Sequence, residues 1–338
     1  MPRYRMPAEW EPHEATWLSW PKDPETFPGD ILREVEQIYL QMVAALCKGE
    51  KVHILVNDEK AEGRVRGLLD DAGAAKNVFL HRIPSVDVWM RDYGPIFVKD
   101  ENNESVPTKW TFNAWGGKYA ELMKDNSVVD GMAPLLRMPV VRPGIILEGG
   151  SIDVNGKGTL LTTEQCLLNK NRNAHLGRER IEKHLRDYLG ASNIIWLKEG
   201  IAGDDTDGHI DDIARFVNPR TVLCTSEENK ADENYAILKK NLDILRKARD
   251  QDGEALDVKP LPMPGPVKSP FGRLPASYAN FYIGNSAVLL PVFRHENDGK
   301  AIALLEECFP GRKVVPIFCE SLVYGLGAIH CVTQQQPV

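Results

Sequence analysis

The sequence predicts an α/β fold assembled from about five ββαβ-type units repeated around a common axis. Three observations predict it. One order of elements (strand, tight turn, strand, helix, strand) recurs along the chain. The hairpins open near Pro95, Ser151, Ile213 and Asn280, a spacing of roughly 55–70 residues that falls in the range of repeat architectures. The N-terminal segment also lacks a hairpin partner that the C-terminal end can supply, so the two ends close on each other as in radially repeated folds.

The units follow in order. The N-terminal one reads as strand Ala15-Thr-Trp-Leu-Ser-Trp, a helix over residues 31–48 and strand Lys51-Val-His-Ile-Leu-Val, with Ile329-His-Cys-Val-Thr as the missing strand. The second has Pro95-Ile-Phe-Val, a turn over 100–103, a strand over 106–112, a weaker helix over 127–136 and a strand over 140–146. The third has Ser151-Ile-Asp-Val, turn Asn155-Gly156, Gly158-Thr-Leu-Leu-Thr, a helix over 174–189 and Asn193-Ile-Ile-Trp-Leu. In the fourth, Ile213-Ala-Arg-Phe-Val, turn Asn218-Pro-Arg and Thr221-Val-Leu-Cys-Thr precede a helix over 233–249. There Ile237, Leu238, Leu242 and Leu245 recur at helical spacing, and Leu256-Asp-Val-Lys-Pro-Leu closes the unit. The fifth has Asn280-Phe-Tyr-Ile, turn Gly284-Asn285, Ala287-Val-Leu-Leu, a helix over 297–309 and Lys313-Val-Val-Pro-Ile. Asn, Gly and Pro sit at the turns, where their backbone preferences are needed. Residues 262–275, rich in Pro, read as a long surface loop, and no linker divides residues 1–338, which are taken as one catalytic domain.

Apolar residues make up 43% and charged residues 26% of the chain, as in soluble globular proteins. The net charge of −7 argues against nucleic acid and for a cationic partner. The start, Met1-Pro-Arg-Tyr-Arg-Met-Pro, has no apolar core of a signal peptide, and the longest apolar runs are far too short to span a membrane. Cys47, Cys166, Cys224, Cys308, Cys319 and Cys331 form no CxxC pair. They read as reduced thiols of a cytoplasmic protein.

Polar, turn-rich segments precede the units, and they hold the reactive residues: residues 87–94, Leu147-Glu-Gly-Gly, residues 204–212 and Gly325-Leu-Gly-Ala-Ile-His-Cys. Radial repetition would gather them at one end of the axis. The collection then contains the thiol of Cys331, the imidazole of His209 and carboxylates at Asp92, Glu148 and Asp211. Carboxylates match the fork of a planar guanidinium. A thiolate is strongly nucleophilic even as the minor form, and a histidine suits proton delivery to departing ammonia. His209 and Asp211, two apart, share a side if that stretch is extended.

The segments WMRDYGP, WTFNAWGG, LEGGS, TDGHIDD and GLGAIHCVTQQQP, in this order, resemble agmatine deiminases of the guanidine-modifying superfamily, from Met6-Pro-Ala-Glu-Trp to the last residues. The resemblance implies a five-bladed pseudo-symmetric α/β propeller and a homodimer. It implies hydrolysis of agmatine to N-carbamoylputrescine, a step toward putrescine, with Cys331 attacking the guanidinium carbon to form a covalent thiouronium. It further implies His209 as general acid and base, Asp92 and Asp211 gripping the guanidinium, Glu148 orienting the histidine, and Trp89 and Trp115 lining an alkyl channel. The acidic turn at Asp205, helped by Thr206, is the candidate for the ammonium end. No metal or organic cofactor is expected.

Plainer readings stand beside these. His209 among acidic residues could be a metal ligand, but no second histidine sits at ligand spacing. Asp204, Asp205 and Asp207 could be a solvated turn, and Asp205-Thr-Asp-Gly lacks the glutamate that closes a calcium loop. Glu148-Gly-Gly could be only a turn. Gly325-x-Gly327 is no dinucleotide fingerprint, because His330 stands at the third glycine position. His330 is read as structural, since neighbours in an extended segment face opposite ways, and Arg91 and Arg215 as partners of site carboxylates. The rivals are a free-arginine or peptidyl-arginine deiminase, a metal-dependent amidohydrolase, and a polyamine-binding protein without chemistry.

Overall fold

A computed structural model describes residues 4–338; the first three residues of the stretch read above for a targeting signal lie outside it. The architecture is mixed α/β. Strand His13–Ser19 pairs in parallel with Lys51–Val56, which pairs in parallel with Val78–Arg82. Its other edge takes Gln334–Pro337 antiparallel, with Trp17 opposite Gln334. Ile96–Lys99 and Ser105–Thr108 form a hairpin. Three further sheets share one pattern, a short antiparallel strand, a central strand and a parallel third strand reached through a helix. They are Asp153–Val154, Thr159–Thr163 and Asn193–Leu197; Ala214–Phe216, Thr221–Ser226 and Asp257–Pro262; and Tyr282–Ile283, Ala287–Val292 and Lys313–Phe318. Among the described residues no strand ladder joins one of these sheets to the next.

Local chemistry explains the elements. Thr159–Thr163 is buried along its whole length, as expected of a strand covered on both faces. Helix Arg178–Leu189 buries Ile181, Leu185 and Leu189 on one stripe, and ends where Gly190 turns left-handed at φ +73°. Helix Tyr235–Lys247 likewise buries Leu238, Leu242 and Leu245.

Two expected strands do not form. Residues 140–146 make only isolated parallel bridges, Thr108 to Val141 and Thr111 to Ile146, because Pro139 and Pro143 lack the N–H a ladder requires. Residues 329–332 are turns, and the C-terminal ladder begins at Gln334. The 262–275 loop carries a small hairpin, Lys268–Ser269 with Gly272–Arg273.

Two buried arginines tie these segments together. The Arg215 guanidinium donates to Asp153 Oδ1 at 2.8 Å, to the Phe281 carbonyl at 2.7 Å and to Glu9 Oε1 at 2.9 Å. Arg91 donates to Gln334 Oε1 at 3.0 Å, Gln335 Oε1 at 2.7 Å and Glu9 Oε2 at 3.4 Å. Glu9 thus links both arginines, and its carboxyl is held well below the usual value of 4.5: burial would raise it, but Arg215, His330 and Arg91 prevail.

Candidate active site

Cys331 lies in the turn leading into Gln334–Pro337, and Asn280 holds that turn. Asn280 Oδ1 accepts from the His330 N–H at 2.9 Å and the Cys331 N–H at 3.3 Å, while its Nδ2 stands 3.1 Å from Cys331 Sγ. The second Asn280 amide contact is Asp212 Oδ1, at 2.9 Å. Asp211 and Asp212 belong to a 3₁₀ turn, Ile210–Asp212, so the extended geometry expected for His209 and Asp211 is not present. The turn aims Asp211 Oδ2 at the thiol, 3.8 Å from Sγ. His330 Nδ1 meets that same oxygen at 2.7 Å, and its Nε2 meets Glu9 Oε2 at 2.8 Å. His330 is therefore structural as expected, although not for the expected reason. It converges with Cys331 on one carboxylate instead of facing away, and with both nitrogens engaged it offers the thiol no lone pair.

Asp92 sits on the turn Met90–Tyr93. Its Oδ1 accepts from the Gly150 N–H at 3.0 Å and its Oδ2 from Trp115 Nε1 at 3.0 Å. His209 Nδ1 is 3.7 Å from Asp92 Oδ1, and His209 Nε2 is 4.0 Å from Glu148 Oε2. Gly150 is what lets these groups meet. A Cβ there would fall 2.5 Å from His209 Nδ1, 2.9 Å from Asp92 Oδ1 and 3.1 Å from Asp211 Oδ2. Arg172 fixes Glu148, donating from Nε to Oε1 at 2.6 Å. Both His209 ring nitrogens, Glu148 Oε2 and Asp211 Oδ1 are buried without a hydrogen-bond partner among the described residues. Such groups are costly unless a ligand or water satisfies them.

The electrostatics follow from dryness and crowding. Burial, then Asp211 and Glu148, pushes the Asp92 carboxyl well up. Burial also raises Glu148 against the pull of Arg172. The Cys331 thiol is pushed well above its ordinary value by burial and then by Asp211, Asp212 and Asp92, and burial lowers His209 to about 3. Asp211 is the exception: burial would raise it, but the hydrogen bond and charge of His330 hold it down. A bound cation would reverse the first three effects, favouring ionised carboxylates and thiolate.

A cleft of about 500 Å³ opens onto Cys331 and Asp92. Trp89 and Trp115 wall it, and Asp205, Thr206 and Tyr119 lie along it. Asp87 orients Trp89 by accepting from its Nε1 at 2.7 Å. Among the described residues six carboxylates line the cleft, Asp23, Glu25, Asp87, Asp92, Glu121 and Asp205, and no Lys, Arg or His does. His209, Glu148 and Asp211 are fully buried behind its floor.

All nine sequence-predicted residues thus lie in or directly behind one cleft. The reading missed Asn280, Glu9, Asp212, Arg172 and Tyr119. Asn280 stands at the entrance to the fifth unit, the position where the other units carry reactive residues, and that signal was available. Arg91 and Arg215 do not bind Asp92, Asp211 or Glu148 as expected. They bind Glu9, and the arginine on a site carboxylate is Arg172. Among the described residues two groups have ligand atoms within 4.8 Å of one another, as a metal ion would need: Glu148, Cys166 and His209, and Asp211, Asp212 and Cys331.

A buried thiol, an imidazole and several carboxylates at the foot of an acidic cleft make up a thiol-centred site suited to a cationic substrate. The family model for Porphyromonas-type peptidyl-arginine deiminases matches residues 5–337. The agmatine deiminase of Stutzerimonas stutzeri is 39% identical, with 99% of this chain and 95% of the relative covered. Among solved structures, an Enterococcus faecalis agmatine deiminase superposes with a TM-score of 0.91 at 32% identity, covering 99% of this chain and 96% of that one. A C. jejuni agmatine deiminase, a Cys-to-Ser variant with substrate bound, superposes with a TM-score of 0.89 at 32% identity over 98% of this chain and 96% of that one. The chain belongs to the Porphyromonas-type peptidyl-arginine deiminase family.

Proposed function

We propose that this protein is an agmatine deiminase, hydrolysing agmatine to N-carbamoylputrescine and ammonia. The observation that carries this reading is the cleft itself, which ends on Cys331 and Asp92 and is lined by carboxylates with no cationic side chain among the described residues. Relatives that bear the same activity in their names cover nearly the whole chain.

In the reaction, Asp92 and Asp211 pair with the guanidinium, and its charge makes thiolate affordable at Cys331. Sulfur attacks the guanidinium carbon, and the thiol proton passes through His209 to the departing nitrogen, which leaves as ammonia. The C–N bond breaks as the thiouronium forms. Water then attacks the same carbon, giving its proton to His209. The C–S bond breaks as the remaining proton of that water passes to sulfur, releasing N-carbamoylputrescine and the Cys331 thiol, and His209 gives up its proton to solvent. Glu148, anchored by Arg172, orients His209. Trp89 and Trp115 flank the alkyl chain, while Asp205 and Thr206 receive the ammonium. No step uses a metal or organic cofactor. The reading also takes residues 1–338 as one catalytic domain whose five units are arranged radially as a propeller. The recurrence of one strand order in three sheets and the gathering of the motif segments at one site support that arrangement. A cytoplasmic homodimer completes the reading by resemblance to the family.

The test is release of ammonia and ureido product from agmatine, arginine and an arginine-terminated peptide, with chelator present throughout. Turnover of agmatine is expected. Turnover of arginine or peptide alone would transfer the assignment to those rivals, and restoration of a chelated enzyme by one divalent ion would favour the metallo-hydrolase.

A further inference from the structure

Residues 114–117 form an unusual piece of backbone. Ala114, Trp115, Gly116 and Gly117 all have left-handed φ values, +52°, +52°, +94° and +77°. For Ala114 and Trp115 this conformation is strained, and it persists only where surrounding contacts over-determine it. Those contacts are present. Asn113 Oδ1 accepts from the Gly116 N–H at 2.9 Å, its Nδ2 donates to the Asn171 carbonyl at 2.9 Å, and the Gly117 N–H bonds the Asn113 carbonyl at 2.7 Å.

The turn delivers two aromatic side chains to the cleft. Trp115 donates its Nε1 to Asp92 Oδ2. Tyr119 packs edge-on against Trp115, with centroids 5.9 Å apart and planes at 84°, and donates its hydroxyl to Asp205 Oδ2. Lys118, between them, is engaged by the Asp205 backbone carbonyl and the Asp207 carboxylate. Tyr119 is therefore the side chain that grips the Asp205 carboxylate. One short strained segment thereby connects Asp92, at the thiol, to Asp205, further along the cleft.

We propose that Tyr119 is a specificity-determining residue. Its hydroxyl on Asp205 and its ring on Trp115 fix where the second cationic group of the substrate is held relative to Asp92. The left-handed turn that carries Trp115 and leads into Tyr119 then selects the length of the chain between guanidinium and amine. This rests on the reading of Asp92 and Asp205 as partners of the two ends of agmatine.

The experiment compares the unaltered protein and Tyr119→Phe, which keeps the ring contact and removes only the hydroxyl. The substrates are agmatine, its homologues one methylene shorter and longer, and butylguanidine, which has no amine. The variant should raise KM for agmatine about tenfold with kcat within about twofold, the scale of one hydrogen bond to a charged group. Its preference for agmatine over both homologues should shrink, and its loss on agmatine should exceed its loss on butylguanidine at least about fivefold. Equal losses on agmatine and butylguanidine would reduce Tyr119 to a structural role and overturn the proposal, as would an unchanged length preference. Failure of the unaltered protein to turn over agmatine at all would overturn the substrate reading itself, an outcome separate from any effect of the variant.

Discussion

Cys331 Sγ stands 3.8 Å from Asp211 Oδ2, the same oxygen that His330 Nδ1 meets at 2.7 Å. The proposed nucleophile and the histidine next to it in sequence thus share one carboxylate. The arrangement anchors Asp211 through His330 and Glu9, leaving Oδ1 of Asp211 free of protein partners. That free oxygen is where a guanidinium N–H can bind.

Replacing the sulfur tests the covalent step. Cys331→Ser should lower turnover of agmatine by at least about 1,000-fold, because a buried serine hydroxyl ionises far less readily than a thiol and is a much weaker nucleophile even with His209 in place. Agmatine should still bind, as measured by calorimetry. Mass spectrometry of quenched turnover of the unaltered protein should find an adduct on the Cys331 peptide. Near-normal turnover by the serine variant would remove the thiouronium from the mechanism.

The raised thiol predicts a pH dependence. Because burial and the carboxylates favour the neutral thiol, the reactive thiolate of the free protein should grow as pH rises and reach no plateau near pH 8. Alkylation of Cys331 by iodoacetamide, followed peptide by peptide, should climb about tenfold per pH unit across pH 7–9. A rate already flat at neutral pH would show a thiolate at rest and contradict this picture.

Asn280 is a positioning residue through its contacts to the turn and to sulfur. Asn280→Ala should reduce kcat by about 100-fold, the scale of losing one oriented donor, and change KM much less. Asn280→Asp should do worse by adding a negative charge 3.1 Å from the site of thiolate formation. If the aspartate variant matched the unaltered kcat, the amide would have no part in the chemistry.

Glu9 carries a stability prediction. Glu9→Ala would leave the buried guanidinium of Arg215 short of a partner, costing roughly 3–5 kcal/mol in denaturant unfolding. Since the folded pKa of Glu9 lies below 4.5, its contribution is fully present above the unfolded value. It is lost as pH falls through the folded one. The variant should therefore lose less stability than the unaltered protein on acidification below about pH 4.5. Parallel pH profiles would show that Glu9 is not the linked group.

Substrate choice follows from the lining of the cleft. Arginine would bring its carboxylate among six acidic side chains with no cation among the described lining residues to meet it, and such a charge is costly to desolvate unpaired. Agmatine should be preferred over arginine by at least about 100-fold in kcat/KM, about 2.7 kcal/mol. Asp205→Asn should mainly raise KM for agmatine, whereas Asp92→Asn should collapse kcat. Comparable kcat/KM for the two substrates would refute the assignment of the amine end.

Much of this was legible in the chain before any coordinates. The α/β character, four of the hairpins and the long helices are written in periodicity and turn residues, which act over a few neighbouring positions. The helices expected over 31–48 and 174–189 form as Ile31–Leu46 and Arg178–Leu189, with apolar spacing marking their cores but not their ends. The residue types of the site were also visible, because a thiol, a histidine and carboxylates in turn-rich segments carry their chemistry with them. What sequence spacing could not decide is which oxygen faces which atom. The strand over 140–146 failed because prolines removed donors in a segment whose apolar content still looked strand-like. His330 and Cys331 were assigned opposite faces on the assumption of an extended backbone, and the turn held by Asn280 brings both to Asp211. Glu9 and Arg172 became site supports only when segments far apart in the chain packed together and buried their charges. Local propensities set the elements, whereas pairing of buried polar groups depends on distances that exist only in the folded chain.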